Sequence, residues 1–105
     1  MAQIPNHILK SIQEYISILN KNGVIISQAI LFGSYATGRY NELSDIDIAL
    51  VSKQFEGIRF FDRNRIRKYK FAVNPDIEPL PFSNENFTKD DPFVKEILET
   101  GFRIV

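Results

Sequence analysis

Cysteine is absent from the 105-residue sequence. That excludes disulfides, thiolate zinc sites and cysteine nucleophiles together. Histidine occurs once, at His7, near an expected helix start and with no partner motif. It reads as a solvated surface residue rather than a catalytic one. No apolar run approaches membrane-spanning length. The opening Met1-Ala2-Gln3-Ile4-Pro5 lacks the basic and apolar parts of a signal peptide, so a soluble cytoplasmic protein is expected. An excess of one charge is missing too: 13 Lys and Arg balance 13 Asp and Glu. This argues against a general nucleic-acid binder, which is usually basic overall, but leaves local patches open. The length suits one domain, residues 1–105. An apolar content of 44% allows a packed core without metal or disulfide staples.

What is present concentrates between Leu31 and Val51. The apolar runs Ala29 to Phe32 and Ile46 to Val51 are short and bounded by turn residues, as buried strands are. Alternate side chains of a strand share a face. Asp45 and Asp47 therefore point one way while Ile46 and Ile48 point into the core. Two adjacent carboxylates repel unless a positive charge lies between them. A hard cation such as Mg²⁺ suits them, since it takes one or two carboxylates together with phosphate oxygens and water. Gly33-Ser34 supplies a complementary feature. Glycine lets backbone approach a phosphate closely, and serine with the free N–H groups of a turn or helix start can hold the anion. Arg39, next to this turn, is within reach of a phosphate oxygen or is an exposed loop arginine. The plainer alternative for the whole stretch is a tight Gly-Ser turn and two unrelated aspartates at a strand end.

Gly33-Ser34, ten residues, then Asp45-Ile46-Asp47 resembles the signature of the DNA polymerase β-like nucleotidyltransferase superfamily. Phe32-Gly33-Ser34-Tyr35-Ala36-Thr37-Gly38 and Ser44-Asp45-Ile46-Asp47 resemble its minimal nucleotidyltransferase (MNT) branch. Four fixed positions at background usage recur by chance in roughly one sequence of this size in a thousand. The resemblance covers nearly the whole chain, including the closing Ile-Leu-Glu-Thr-Gly-Phe-Arg-Ile. It implies an α+β fold: a small mixed β-sheet with helices packed mainly on one face.

Along the chain, Ile8, Ile12, Tyr15, Ile16 and Leu19 form one helical stripe. The expected helix runs from about Pro5 to Asn20, with Gly23 as its stop. Val24 to Phe32 leads into a first strand, Ser34 to Gly38 begins a short helix, and Asp45 to Ser52 forms a second strand. Tyr35 reads as packing. The segment Phe55 to Phe71 has a helix at its centre. Six basic residues fall between Arg59 and Lys70 against one acid, Asp62. This is a solvated helix face, or a surface that attracts a triphosphate, an acidic partner or RNA. A third strand is expected over Ala72 to Phe82, at a sheet edge or with an early end to its pairing, because Pro75, Pro79 and Pro81 remove ladder donors. Asp91-Pro92 starts a last helix with Phe93, Val94, Ile97 and Leu98 buried and Gly101 at its end. Phe102 to Val105 reads as a short closing strand.

The MNT pattern carries a third carboxylate on the third strand, before an apolar-Pro-aromatic stretch. Ile77-Glu78-Pro79-Leu80-Pro81-Phe82 resembles it and nominates Glu78, although aspartate is more usual there. Asp76, one pleat away, is the rival. By resemblance, Asp45, Asp47 and Glu78 hold two Mg²⁺ ions, and Gly33, Ser34, Arg39 and Ser44 contact the nucleotide. The implied activity transfers a nucleoside monophosphate, AMP from ATP at family level, to an acceptor hydroxyl. MNT proteins of this size resemble antitoxins that adenylylate a tyrosine of a HEPN-domain toxin. Two alternatives stand beside this: a non-catalytic antitoxin that acts by binding, and a small-molecule nucleotidyltransferase of the aminoglycoside type.

Overall fold

The first helix, α1 (Asn6–Lys21), buries the predicted stripe Ile8, Ile12, Tyr15, Ile16 and Leu19. In the computed structural model, residues 4–105 are described. Met1 to Gln3, part of the segment read as lacking a signal peptide, lie outside the described residues. Gly23, at φ +87°, ends the helix, and the Val24 N–H reaches back to the Leu19 carbonyl. This left-handed stop is open to glycine at little steric cost.

Strand β1 (Gln28–Phe32), the one-turn helix α2 (Ser34–Thr37) and strand β2 (Ile46–Val51) follow. Helix α3 (Arg59–Arg67) continues into a 3₁₀ turn (Lys68–Ala72), then strand β3 (Ile77–Phe82), helix α4 (Pro92–Thr100) and strand β4 (Phe102–Arg103). The sheet order is β3-β2-β1-β4. β1 runs antiparallel to both β2 and β4, and β2 runs parallel to β3. A parallel pair needs a long crossover, and α3 provides it.

The period-2 alternation sorts the core. Ala29, Leu31, Ile46, Ile48, Leu50 and Ile77 meet α1 and Ile66 of α3. Ile30, Ala49, Val51 and Phe82 meet Val94 and Ile97 of α4. Tyr35 of α2 joins the first layer, so three helices lie on one face and one on the other. Fully burying a side chain such as Ile12 or Leu50 contributes about 1.5–3 kcal/mol before entropy is counted. Tyr15 links two elements, its hydroxyl donating to the Ile66 carbonyl at 2.9 Å. Burial raises the pKa of that hydroxyl.

The third strand is shorter than the sequence suggests. Residues 68–72 are 3₁₀, and β3 starts at Ile77. The break is local. Asn74 Oδ1 accepts from the Asp76 N–H, and the Asn74 carbonyl accepts from the Ile77 N–H, a turn around Pro75. The edge position is as expected. The Asp76 and Phe82 carbonyls accept from Ile46 and Ser52, so even-numbered residues turn their backbone towards β2. Pro79 and Pro81 occupy outward positions, where a missing N–H costs no ladder bond.

Candidate active site

Helix α4 covers only the later part of its sheet face. Ala49 and Val51 are buried beneath it, whereas Asp47 is only partly buried. Phe32 pairs with Asp47 across β1 and β2, and Asp47 pairs with Glu78 across β2 and β3. These three residues form a row on one face at the leading end of β2 and β3. A cleft of about 330 Å³ opens over the row, lined by Phe32, Asp45, Asp47, Arg63, Glu78 and Leu80 among others. The structure thus brings Asp45, Asp47 and Glu78 to one cavity. A larger depression of about 540 Å³ lies farther along β3, lined by Arg59, Phe82 and Asn86 among others. Arg63 and Arg59, one turn apart on α3, flank the two cavities respectively.

Each side chain has a local cause for its place. A turn precedes β2: the Asn41 N–H donates to Ser44 Oγ at 2.9 Å, and the Ser44 N–H donates to the Asn41 carbonyl. The Ser44 hydroxyl thus closes the loop that delivers Asp45. Gly33 has φ +74° and presses against Asp47, where a Cβ would run into the carboxylate. Thr37 Oγ1 donates to the Gly33 carbonyl at 3.2 Å. Ser34 opens α2 and is half-buried, and Arg39, just after α2, is exposed. Asp76 is exposed and precedes β3. Its charge acts on Tyr35, whose hydroxyl pKa is raised first by burial and then by Asp76.

Glu78 is held by two cations. Arg63 Nη2 donates to Oε2 at 2.7 Å, and Lys70 Nζ donates to Oε1 at 3.4 Å. The Lys70 side chain is 5% exposed, that of Arg63 46%. Asp47 is raised above its ordinary carboxylate range, first by burial, then by the charges of Asp45 and Glu78.

The sequence showed α3 as a helix within a basic run, with Asp62 as its one acid, but assigned no role at the site to Arg63, Lys70 or Asp62. Asp62 is buried and accepts from the Glu56 and Gly57 N–H groups, both at 2.9 Å. It ties the loop after β2 to the helix that carries Arg63. Asp62→Ala would strand two backbone donors, each costing about 1–3 kcal/mol when unsatisfied. Thermal unfolding followed by circular dichroism should show a melting temperature lower by roughly 10 °C or more. A shift under about 2 °C would remove the bond pair from this role.

The donor chemistry of the cleft suits a hard divalent ion. Asp45 and Asp47 offer carboxylate oxygens, and the bare Gly33 gives the Asp47 carboxylate its room. Among the described residues, no three acidic or histidine side chains are already gathered as a metal cage. Glu78 is committed to Arg63 and Lys70 instead.

Comparison with known proteins shows the family and the fold. Residues 10–104 match the family model described as "Nucleotidyltransferase domain". Two relatives from Methanocaldococcus jannaschii carry the name "Putative protein adenylyltransferase". One is 36% identical over 94 residues, 88% of this chain and 92% of the relative. The other is 28% identical over 99 residues, 92% of this chain and 95% of the relative. The fold matches the crystal structure of a "putative nucleotidyltransferase" from Sulfolobus solfataricus, with TM-score 0.66 and 22% identity, over 91% of this chain and 78% of that one. With residues 10–104 matched by the family model and 88% of its length aligned to a relative at 36% identity, the chain belongs to the nucleotidyltransferase domain family.

Proposed function

We propose that residues 1–105 act as a minimal, Mg²⁺-dependent adenylyltransferase that moves AMP from ATP to a hydroxyl of a protein, a tyrosine of a HEPN-type toxin, and so serve as its cytoplasmic antitoxin. The observation that carries the reading is the Asp47–Glu78 register pair, with Asp45 on the same cleft. The names of the two archaeal relatives support the protein acceptor.

In this reading Asp45 and Asp47 hold the metal, and Glu78 faces the acceptor as the third carboxylate, ahead of Asp76. Mg²⁺, when bound, would supply positive charge to the polyphosphate and lower the pKa of the acceptor hydroxyl. Ser34 and the backbone N–H groups at the start of α2 grip the β- and γ-phosphates. Arg39, exposed beside α2, reaches a phosphate oxygen, and Ser44 keeps Asp45 aimed. The acceptor oxygen bonds to the α-phosphorus and the bond to the pyrophosphate oxygen breaks. In this reading Glu78, once released from a cation, takes the acceptor's proton. The site acts by positioning and by charge.

The acceptor approaches along β3 and α3. Phe60, 70% exposed, neighbours Arg63 at helical spacing, and Arg67 lies one turn beyond Arg63, a surface suited to an acidic, partly apolar protein. The engagement of Glu78 by two cations favours a second reading, an antitoxin that acts by contact alone. Incubating the chain with a HEPN-type partner, ATP and Mg²⁺, then weighing the partner by intact mass spectrometry, separates them. An adenylyl increment supports the enzyme. A stable complex without the increment supports the binder and overturns the enzyme.

A further inference from the structure

We propose that Arg63 is a displaceable guard on Glu78: it withholds this carboxylate from a divalent ion until a nucleotide polyphosphate draws the guanidinium away. The inference rests on the metal-dependent reading above.

Both oxygens of Glu78 are taken, one by Arg63 and one by Lys70. Each oxygen keeps a second lone pair, but the charge of the nearby guanidinium opposes a divalent ion, so the ion gains Glu78 in full strength only when a cation leaves. The two cations differ in how easily they leave. Lys70 is buried against the sheet, and its ammonium would lose its partner with no water to replace it. Arg63 stands half-exposed, where a guanidinium rehydrates at small cost. Arg63 also lines the cleft with Asp45 and Asp47. A polyphosphate bound there offers a bidentate partner at least as good as the carboxylate. Lys70 then stays behind as the permanent brace on the other oxygen. Without nucleotide, the third carboxylate is neutralised, and the ion sees two acids. With nucleotide, one movement frees Glu78 and adds a positive contact to the phosphate. Divalent ion and nucleotide thereby bind cooperatively.

Two effects of opposite sign should follow from Arg63→Gln. Mn²⁺ affinity of the nucleotide-free protein, read by isothermal titration calorimetry, should rise about fivefold or more, the scale of a half-exposed ion pair. Affinity for the non-hydrolysable analogue α,β-methylene-ATP should fall by about fivefold or more. A double-mutant cycle separates competition at Glu78 from the general field of a lost charge. If Arg63 competes through Glu78, Arg63→Gln gives little further Mn²⁺ gain in a Glu78→Gln background. Equal Mn²⁺ affinity in wild type and Arg63→Gln overturns the guard. So does a gain that persists undiminished in Glu78→Gln. No Mn²⁺ binding by any variant, with or without the analogue, overturns the metal reading itself and the guard with it.

Discussion

Asp47→Asn is expected to end nucleotidyl transfer and to stabilise the metal-free fold in the same stroke. The activity loss follows from position. Asp47 lies at the centre of the Phe32–Asp47–Glu78 row and on the cleft it shares with Asp45. An amide has the same shape but no charge to hold a divalent ion. Pyrophosphate release should fall by roughly a thousandfold or more, or about 4 kcal/mol of transition-state stabilisation. Asp45→Ala should do the same. Full activity of both variants at limiting Mg²⁺ would dismiss the metal assignment.

The stability gain follows from the raised pKa. Burial and the charges of Asp45 and Glu78 disfavour the ionised Asp47. An acid whose folded pKa lies above its unfolded value destabilises the fold once both states are ionised. The penalty is full above the folded pKa. It fades as pH falls through that value towards the unfolded one, about 3.9. Asp47→Asn should therefore melt higher than wild type at pH 7, with the difference closing near pH 4. Millimolar Mg²⁺ with ATP should narrow or invert the gap at pH 7, since only wild type gains from ligand binding. A lower melting temperature for Asp47→Asn across the whole range would contradict the charge argument.

Gly33→Ala carries the second large effect, in two parts. The backbone there has φ +74° and ψ −149°, a region open to glycine and costly for other residues by about 1–3 kcal/mol. The added methyl would also run into the Asp47 carboxylate. That carboxylate is the end of a side chain, so it gives way more readily than backbone. The collision is thus paid in misplacement of Asp47 rather than in lost packing. A shift near 1 Å costs on the order of a hundredfold in rate. The variant should stay folded with a melting temperature some 5–10 °C lower, while transfer falls about a hundredfold. Gly23→Ala is the control. Its φ is also positive, but its Cβ position meets nothing within 4 Å, so stability should fall and transfer should not. Equal transfer by Gly33→Ala and wild type would separate the glycine from the carboxylate.

Much of this fold is legible where the chain signals locally. The α1 stripe, the Asp91 cap whose carboxylate accepts from the Phe93 N–H at 2.9 Å, and the prolines of an edge strand each act within a few residues. The third strand was read too long because apolar Ala72 and Val73 suggest β structure, while the turn at Asn74 and Pro75 separates them from it. The basic run was legible as charge, but not as two partners for one glutamate.

The sequence by itself determined that Asp45 and Asp47 share a face, that Gly33-Ser34 breaks the chain just before them, and that Glu78 belongs to a proline-edged strand. Period and turn chemistry are properties of neighbouring residues, so they survive without a fold. Only the tertiary structure decided that Glu78 stands beside Asp47, that Gly33 presses on that carboxylate, and that Arg63 and Lys70 close on Glu78 from α3 and its 3₁₀ turn. Those contacts join segments far apart in the chain. They exist because parallel pairing sets the register of β3 on β2 and because the buried Asp62 anchors the crossover helix between them.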